Sequence, residues 1–363
     1  MKIIDRYIFR QFALLFVLML FILCTLVTVV KFVDEIEYFS KNHTPASVII
    51  EYFVYFIPTS MDRIISLSVV ISVLSLLLLF NLHNELTAIQ AGGISRVRVA
   101  GVILFCSLLI TAFLWVNNET ILPRAYRKSK TIQTQKIEKK PSMGFVAEKQ
   151  IWLKGPADEF YSIALVGPGA TTLQDAFIYQ MSHDGSRLLS QVHIKTALWD
   201  KQTKSWQAKD IRERKFDTDA ALLKETFTRE KQYAIQFKPE DFIQVVQTPN
   251  QMNTKQLREQ IALLKLGDMD TKEASVYYYG RYAGIMSPII MALIGLCYGF
   301  YISRMQIASG FATAILWALA YLLLTQFSIT IGKTGILPPL ACAWLGNVLV
   351  GGWSLYKLRK VLW

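Results

Sequence analysis

The residues of this sequence best placed to do chemistry are charges set in or beside long apolar runs. Lys31 ends one run, Asp62 and Arg63 interrupt another, and Arg281 precedes a third. A charge in hydrocarbon costs a few kcal/mol, so each such residue is a candidate for binding a substrate or relaying an ion. Lys31 reads either as an ammonium snorkelling to the interface or as a contact to an anionic lipid head group. Asp62 and Arg63 are sequence neighbours and so point about 100° apart on a helix, which predicts separate partners or a wet cavity rather than a mutual salt bridge. Arg281 reads as an interfacial anchor. Arg124-Ala125-Tyr126-Arg127-Lys128-Ser129-Lys130 sets four cations within seven residues. Such a cluster is either a solvated face or a phosphate site, with Arg124 and Arg127 forking onto the oxygens and Lys128 adding a point charge. Glu85-Leu86-Thr87-Ala88-Ile89-Gln90-Ala91 is built of helix formers and stops at Gly92-Gly93. It is either a plain interfacial helix or a coupling helix that buries Leu86 and Ile89 in a partner's groove and offers Glu85 to a basic residue.

Catalytic and nucleotide-binding patterns are missing. Gly332-Lys333-Thr334 resembles the end of a phosphate-binding loop, but that pattern needs glycine where Phe327 stands. His43, His83, His183 and His193 have no HExxH or CxxC companions, and no Gly-x-Ser-x-Gly elbow occurs. A metal and a resident cofactor are therefore not expected, and energy for any uphill movement must come from a partner or an ion gradient.

The elements that hold these residues follow from composition. Of the 66 charged residues, 45 fall between Glu119 and Glu273, which leaves two apolar flanks around a polar middle. That split predicts a membrane protein carrying one water-exposed domain. The formal charge of +12 is spread over both parts, and in the flanks it sits at the ends of apolar runs, so nucleic-acid binding is not the reading it supports. All four cysteines lie in apolar runs, so the middle domain has no disulfide framework.

A spanning helix needs about 20 mostly apolar residues. Six segments qualify: Phe12–Val30, Phe53–Phe80, Val99–Val116, Tyr282–Ser303, Met305–Ile331 and Ile336–Leu355. With the N-terminus inside, the cytoplasmic short loops hold nine Lys and Arg residues and the opposite ones only Lys31, Lys41 and Lys333. The bias places both termini in the cytoplasm. The expected domains are residues 1–118, three spans with a cytoplasmic loop at 81–98; 119–275, an outer domain; and 276–363, three further spans.

The outer domain reads as all-β. Val192, Ile194 and Leu198 alternate with Gln191, His193 and Lys195, and His183-Asp184-Gly185 reads as a hairpin turn. Further strands are expected at Gln150–Leu153, Phe160–Val166, Trp206–Ile211 and Tyr233–Phe237, a set that suggests a sandwich or jelly roll. Leu257, Ile261 and Leu264 follow the cap signal Asn253-Thr254 and precede Gly267, predicting a short amphipathic helix.

Three stretches together resemble a known family. Val30-Lys31-Phe32-Val33-Asp34, Glu85-Leu86…Gln90-Ala91…Gly93 and Gly335-Ile336-Leu337-Pro338-Pro339 are similar, in order and spacing, to the YjgP/YjgQ permeases, the paired membrane subunits of the lipopolysaccharide exporter. Gln150-Ile151-Trp152-Leu153-Lys154 adds to the likeness, and Lys31-Phe32-Val33-Asp34 leans to the G-type subunit. The resemblance implies an α-helical transmembrane protein of six spans, three and three, with an inserted periplasmic β-jelly-roll domain in the bacterial inner membrane. It implies a homologous permease partner, a cytoplasmic ATPase dimer that binds the ATP, a single-span periplasmic jelly-roll protein and lipopolysaccharide as substrate. By the same resemblance Lys31, Arg63, Arg124, Arg127 and Lys128 would face lipid phosphates. Glu85, Leu86, Ile89 and Gly92 would dock the ATPase, and the first and fifth spans would form lateral gates. The chain departs from the pattern at Thr59, where a basic residue is expected beside Pro58, and at Glu37 and Tyr38, where further lysines are expected. An ion-gradient carrier using Asp62 and Arg63, or a structural membrane scaffold, is the reading from another class; a carrier would normally show internal repeats, and none is evident.

Overall fold

The structure is a computed structural model that describes residues 3–138, 151–155, 158–166, 171–182, 187–200, 203, 205–217, 222–233, 235, 237–239, 248–266, 270–300 and 307–362. They fall into two compact units, Met1–Ile137 with Lys272–Trp363, and Glu138–Thr271.

The first unit is helical. Its elements are α1 (Ile3–Lys41), α2 (Ala46–Leu82), α3 (Glu85–Ala91), α4 (Arg96–Val116) and α5 (Leu122–Thr131), then α7 (Lys272–Ile285), α8 (Ser287–Gly299), α9 (Ile307–Thr334) and α10 (Pro339–Leu362). A π-helical turn at Asn117–Ile121 carries α4 into α5, and a second at Ile132–Ile137 extends it. The helical unit therefore runs to Ile137, past the boundary expected at residue 118, because the π turns keep the backbone hydrogen-bonded where the side chains change from apolar to polar. Four of these helices are long and apolar enough to cross a membrane, or five if α7 and α8, bent by 44° at Met286, form one broken span. The sixth expected span, α10, has 24 residues but carries polar ones. Of these, Asn347 is satisfied inside the unit: its Nδ2 donates to Ala283 O at 2.8 Å and its Oδ1 accepts from Tyr321 at 2.7 Å.

Burial is very unequal. The apolar stretch of α2 is 67% buried within the chain, that of α1 only 6%. α2 packs closely on α8 because Gly295 and Gly299 bring the backbones together; a methyl group on Gly295 would lie 2.8 Å from Val73 Cβ. This Gly-x-x-x-Gly spacing is the small-residue contact that replaces the hydrophobic drive in lipid. Serines within α2 hide their hydroxyls on their own helix, Ser68 on Ile64 O at 2.7 Å and Ser72 on Ser68 O at 2.6 Å.

The second unit holds one six-stranded antiparallel sheet in sequence order: β1 (Ile151–Lys154), β2 (Glu159–Val166), β3 (Thr172–Met181), β4 (Leu188–Asp200), β5 (Ser205–Phe216) and β6 (Leu222–Tyr233). This is an up-and-down meander, and the crossovers of a jelly roll are not among the described strands. Beyond Tyr233, the described residues of the strand expected at Tyr233–Phe237 are not in a strand, and the last strand among the described residues is Leu222–Tyr233. It is polar and largely exposed, which hid it, while Ile235 and Phe237 beyond it cover the core. Asp175 and Asp210 have φ of 51° and 53° and both stand opposite Lys195 in the register. Aspartate tolerates that left-handed conformation. The kink reverses the facing of the strands, so Ala197 is buried with Val192 and Ile194, and Leu198, expected to point inward with them, is exposed. Trp206, fully buried, anchors the core and donates Nε1–H to Phe237 O at 2.8 Å. Residues 183–186, with the expected hairpin turn, lie outside the described residues, as does Gly267. The expected amphipathic helix is α6 (Thr254–Leu266), capped reciprocally by Asn253 and Gln256 at 2.8 and 3.1 Å.

Gly295→Ala should separate α2 from α8 and lower stability by about 1–3 kcal/mol, as overpacking does. Thermal unfolding in mild detergent measures this, and Gly101→Ala, where a methyl group meets nothing within 4 Å, is the control.

Candidate functional site

Three polar constellations sit on the apolar frame of the helical unit. The first joins α1, α2 and α5. Lys31 Nζ lies 2.8 Å from Glu35 Oε1 one turn on, and the same carboxylate oxygen accepts from Tyr52 at 3.3 Å. Tyr52 of α2 is thereby tied to α1 through Glu35, with Ser129 of α5 as a further polar neighbour of its hydroxyl. Phe39, Tyr52, Phe53, Ile132 and Ile137 form the small core beneath it. α5 turns Pro123 and Ala125 inward and leaves Arg124, Lys128 and Lys130 exposed, with Arg127 half-buried. Arg124 and Lys128 are one turn apart with like charge, an arrangement that disfavours the helix until an anion neutralises it. Lys128 Nζ lies 5.4 Å from the Tyr55 ring centroid. Lys31 is thus already held by Glu35, whereas the outer face of α5 is open to an anion.

The second constellation lies where α2, the first π turn and α7 meet. Asn118, Arg63 and Arg281 are the polar neighbours that act on the Asp62 carboxylate. Asp62 Oδ1 is buried without a donor among the described residues. Arg281, expected as an interfacial anchor, is half-buried with Glu119 and Asp62 as its acidic neighbours. Arg63 is exposed, so the two adjacent charges do point apart. Ser66 Oγ donates to Asp62 O at 2.6 Å and lies 2.6 Å from Ser287 Oγ, beside the break between α7 and α8. Asn117 and Asn118, both buried, were missed in the sequence reading; two amides ending an apolar run are the signal that could have found them.

The third is the short helix α3. Leu86 is buried in this chain's own core and is not offered to a partner's groove, whereas Ile89 packs partly against that core and stays half-exposed. The correction has a simple cause: a seven-residue helix between α2 and α4 has one apolar side, and its own bundle covers it. The residues of α3 that face outward are Thr87, Ala88 and Ala91, followed by exposed Gly92 and Gly93. Glu85 is part-exposed and accepts a hydrogen bond from Tyr7 at 2.8 Å. Nearby, Arg98 grips Asp5 through two bonds of 2.9 Å. No group of three or more metal-ligating side chains occurs among the described residues.

The family described as lipopolysaccharide export system permease LptF/LptG matches residues 6–360. The chain is 20% identical over 298 residues to the lipopolysaccharide export system permease protein LptG of Escherichia coli strain K12, over 82% of this chain and 81% of that protein. The same figures hold for the protein of that name from Escherichia coli O6:H1.

Arg281→Ala should leave the Asp62 and Glu119 carboxylates uncompensated and lower stability by about 2 kcal/mol, below the cost of orphaning a fully buried charge because Arg281 is part-exposed. Adding Asp62→Asn should recover part of that loss, a non-additive result readable from thermal unfolding of the four proteins of the cycle.

Proposed function

The chain belongs to the LptF/LptG family of lipopolysaccharide export permeases, and on that premise we propose that it is the G-type membrane subunit of an ATP-driven exporter. The exporter takes lipopolysaccharide from the inner membrane and passes it to a periplasmic bridge. One observation carries the reading to the level of residues: α5 presents Arg124 and Lys128, one turn apart, on one exposed face, with Arg127 beside them and Lys130 exposed on another side. Bidentate guanidinium contacts to lipid phosphates would relieve the repulsion among these charges.

In this reading six helices cross the membrane, the broken pair α7 and α8 counting as one and α10 as the last. Both termini are cytoplasmic, and the β unit is a periplasmic, jelly-roll-like domain. The chain holds no cofactor and hydrolyses nothing; a cytoplasmic ATPase dimer binds the ATP and meets the loop at 81–98 through Glu85 and the exposed face of α3 near Gly92. A homologous permease completes the cavity, and a single-span periplasmic protein continues the path. Lys31 and Arg63 are accessory cations, Lys31 acting once lipid phosphate competes with Glu35 for its ammonium.

Joint replacement of Arg124 and Arg127 by Ala should reduce photocrosslinking of a probe in α5 to lipid A about tenfold, roughly what losing two exposed charge-assisted contacts implies. Undiminished crosslinking would make the cluster a solvated face. Glu85→Ala should lower recovery of the ATPase with the purified chain, read by quantitative mass spectrometry; unchanged recovery would remove Glu85 from the docking surface.

A further inference from the structure

α1 is held almost entirely at its ends. Ile8, Phe12 and Leu15 are buried, none of the residues from Phe16 to Tyr38 is, and burial returns only at Phe39. A helix with so little side-chain packing along its length moves according to what grips its ends. At the N-terminal end the grip is polar and directional. Arg98, at the start of α4, makes a bidentate pair with Asp5, its Nε and Nη2 each 2.9 Å from a carboxylate oxygen. Two residues on, Tyr7 donates to Glu85 Oε2 at 2.8 Å, and its ring stacks on Phe80 of α2 at 5.9 Å and 11°. Asp5 and Tyr7 are separated by about 200° around the helix. One turn of α1 therefore bridges both sides of the connection that runs from α2 through α3 to α4.

We propose that Asp5 and Tyr7 are positioning residues that fasten α1 to the α3 loop, so that a displacement of α3 by the ATPase is passed to α1 as a rigid movement. The proposal rests on the reading of α3 as the docking helix. Apolar packing alone would let α1 rotate or slide against α3, because dispersion contacts are non-directional. A bidentate carboxylate–guanidinium pair and a phenol–carboxylate bond fix rotation as well as distance. Glu85 then has two faces in the mechanism: Oε2 engages Tyr7, and Oε1, 3.7 Å from His83 Nδ1, is on the part-exposed side.

The test uses the whole complex with its ATPase in proteoliposomes loaded with lipopolysaccharide. Tyr7→Phe deletes one oxygen and keeps the ring stack. Lipid released per ATP hydrolysed should fall about fivefold, the effect of one hydrogen bond to a charged group near water, with the hydrolysis rate unchanged. Asp5→Arg should do the same or worse, and Asp5→Arg combined with Arg98→Asp should restore coupling. Full coupling in Tyr7→Phe overturns the proposal, and so does a parallel fall in hydrolysis, which would put Tyr7 in ATPase docking instead. A second readout does not depend on transport. Spin labels at Ile3→Cys and Thr87→Cys, in a Cys24→Ser background, should keep one distance with and without nucleotide, and the distribution should broaden in Tyr7→Phe. A nucleotide-dependent distance in the otherwise unsubstituted chain overturns the proposal. Absence of any ATPase from the purified complex would instead defeat the docking reading, while the label distribution in the chain alone still tests the fastening.

Discussion

In hydrocarbon a polar group has no water to fall back on, so every buried donor and acceptor must find its partner inside the protein. That constraint accounts for much of this helical unit. Serine hydroxyls in α2 bond back to their own helix, Asn347 bridges α7 and α9 through Ala283 O and Tyr321, and Cys297 reaches Ser354 O at 3.0 Å. Each bond lets a polar residue sit among apolar helices without orphaned atoms. Among the described residues of this unit, Asp62 Oδ1 is buried without a donor, as are the hydroxyls of Thr44, Thr111 and Ser354 without a partner. Asn118 and Arg281, from two other elements, stand near Asp62 as a buried charge demands, and Glu119 neighbours Arg281 in turn.

The same constraint shapes mobility. Where helices share glycine contacts, as α2 and α8 do, their backbones meet closely and move together. α1 shares no such seam. Most of its apolar side chains face outward, suited to lipid or to another subunit, and its attachments are concentrated at its two ends. A helix with few internal obligations is the one freest to move against its neighbours, and α1 has that property. Its ends are tied by polar groups whose geometry is fixed, so what it lacks in packing it recovers in orientation.

What was legible in the sequence was what local periodicity encodes. The apolar runs became helices near their expected positions, α3 ended at Gly92, and α6 began with Asn253 as its cap. What was not legible depended on tertiary surroundings. Leu86 and Ile89 gave the correct helix but not the direction of its apolar side, since burial within the chain and burial in a partner leave the same pattern. β6 was missed because its alternation is between polar residues. Leu198 was misplaced because one residue of left-handed backbone in each neighbouring strand reverses everything after it. The cations of α5 could be read as a cluster from spacing alone, but that Lys31 is engaged by Glu35, and Arg281 by two acids, could not.

These engaged charges bear on how a lipid phosphate could be bound and then released. A cation held only by water binds a phosphate and keeps it, whereas one with a carboxylate already in place exchanges one partner for another at little net change in electrostatic energy. Lys31 with Glu35, and Arg281 with Glu119 and Asp62 as neighbours, are of the second kind; exposed Arg124 is closer to the first. Under the proposed function, a set of cations that grades from exchangeable to open would give an anionic lipid a direction without a deep trap along the way. In that proposal the protein's own carboxylates, rather than the number of its lysines and arginines, would set how far the lipid moves before it is held.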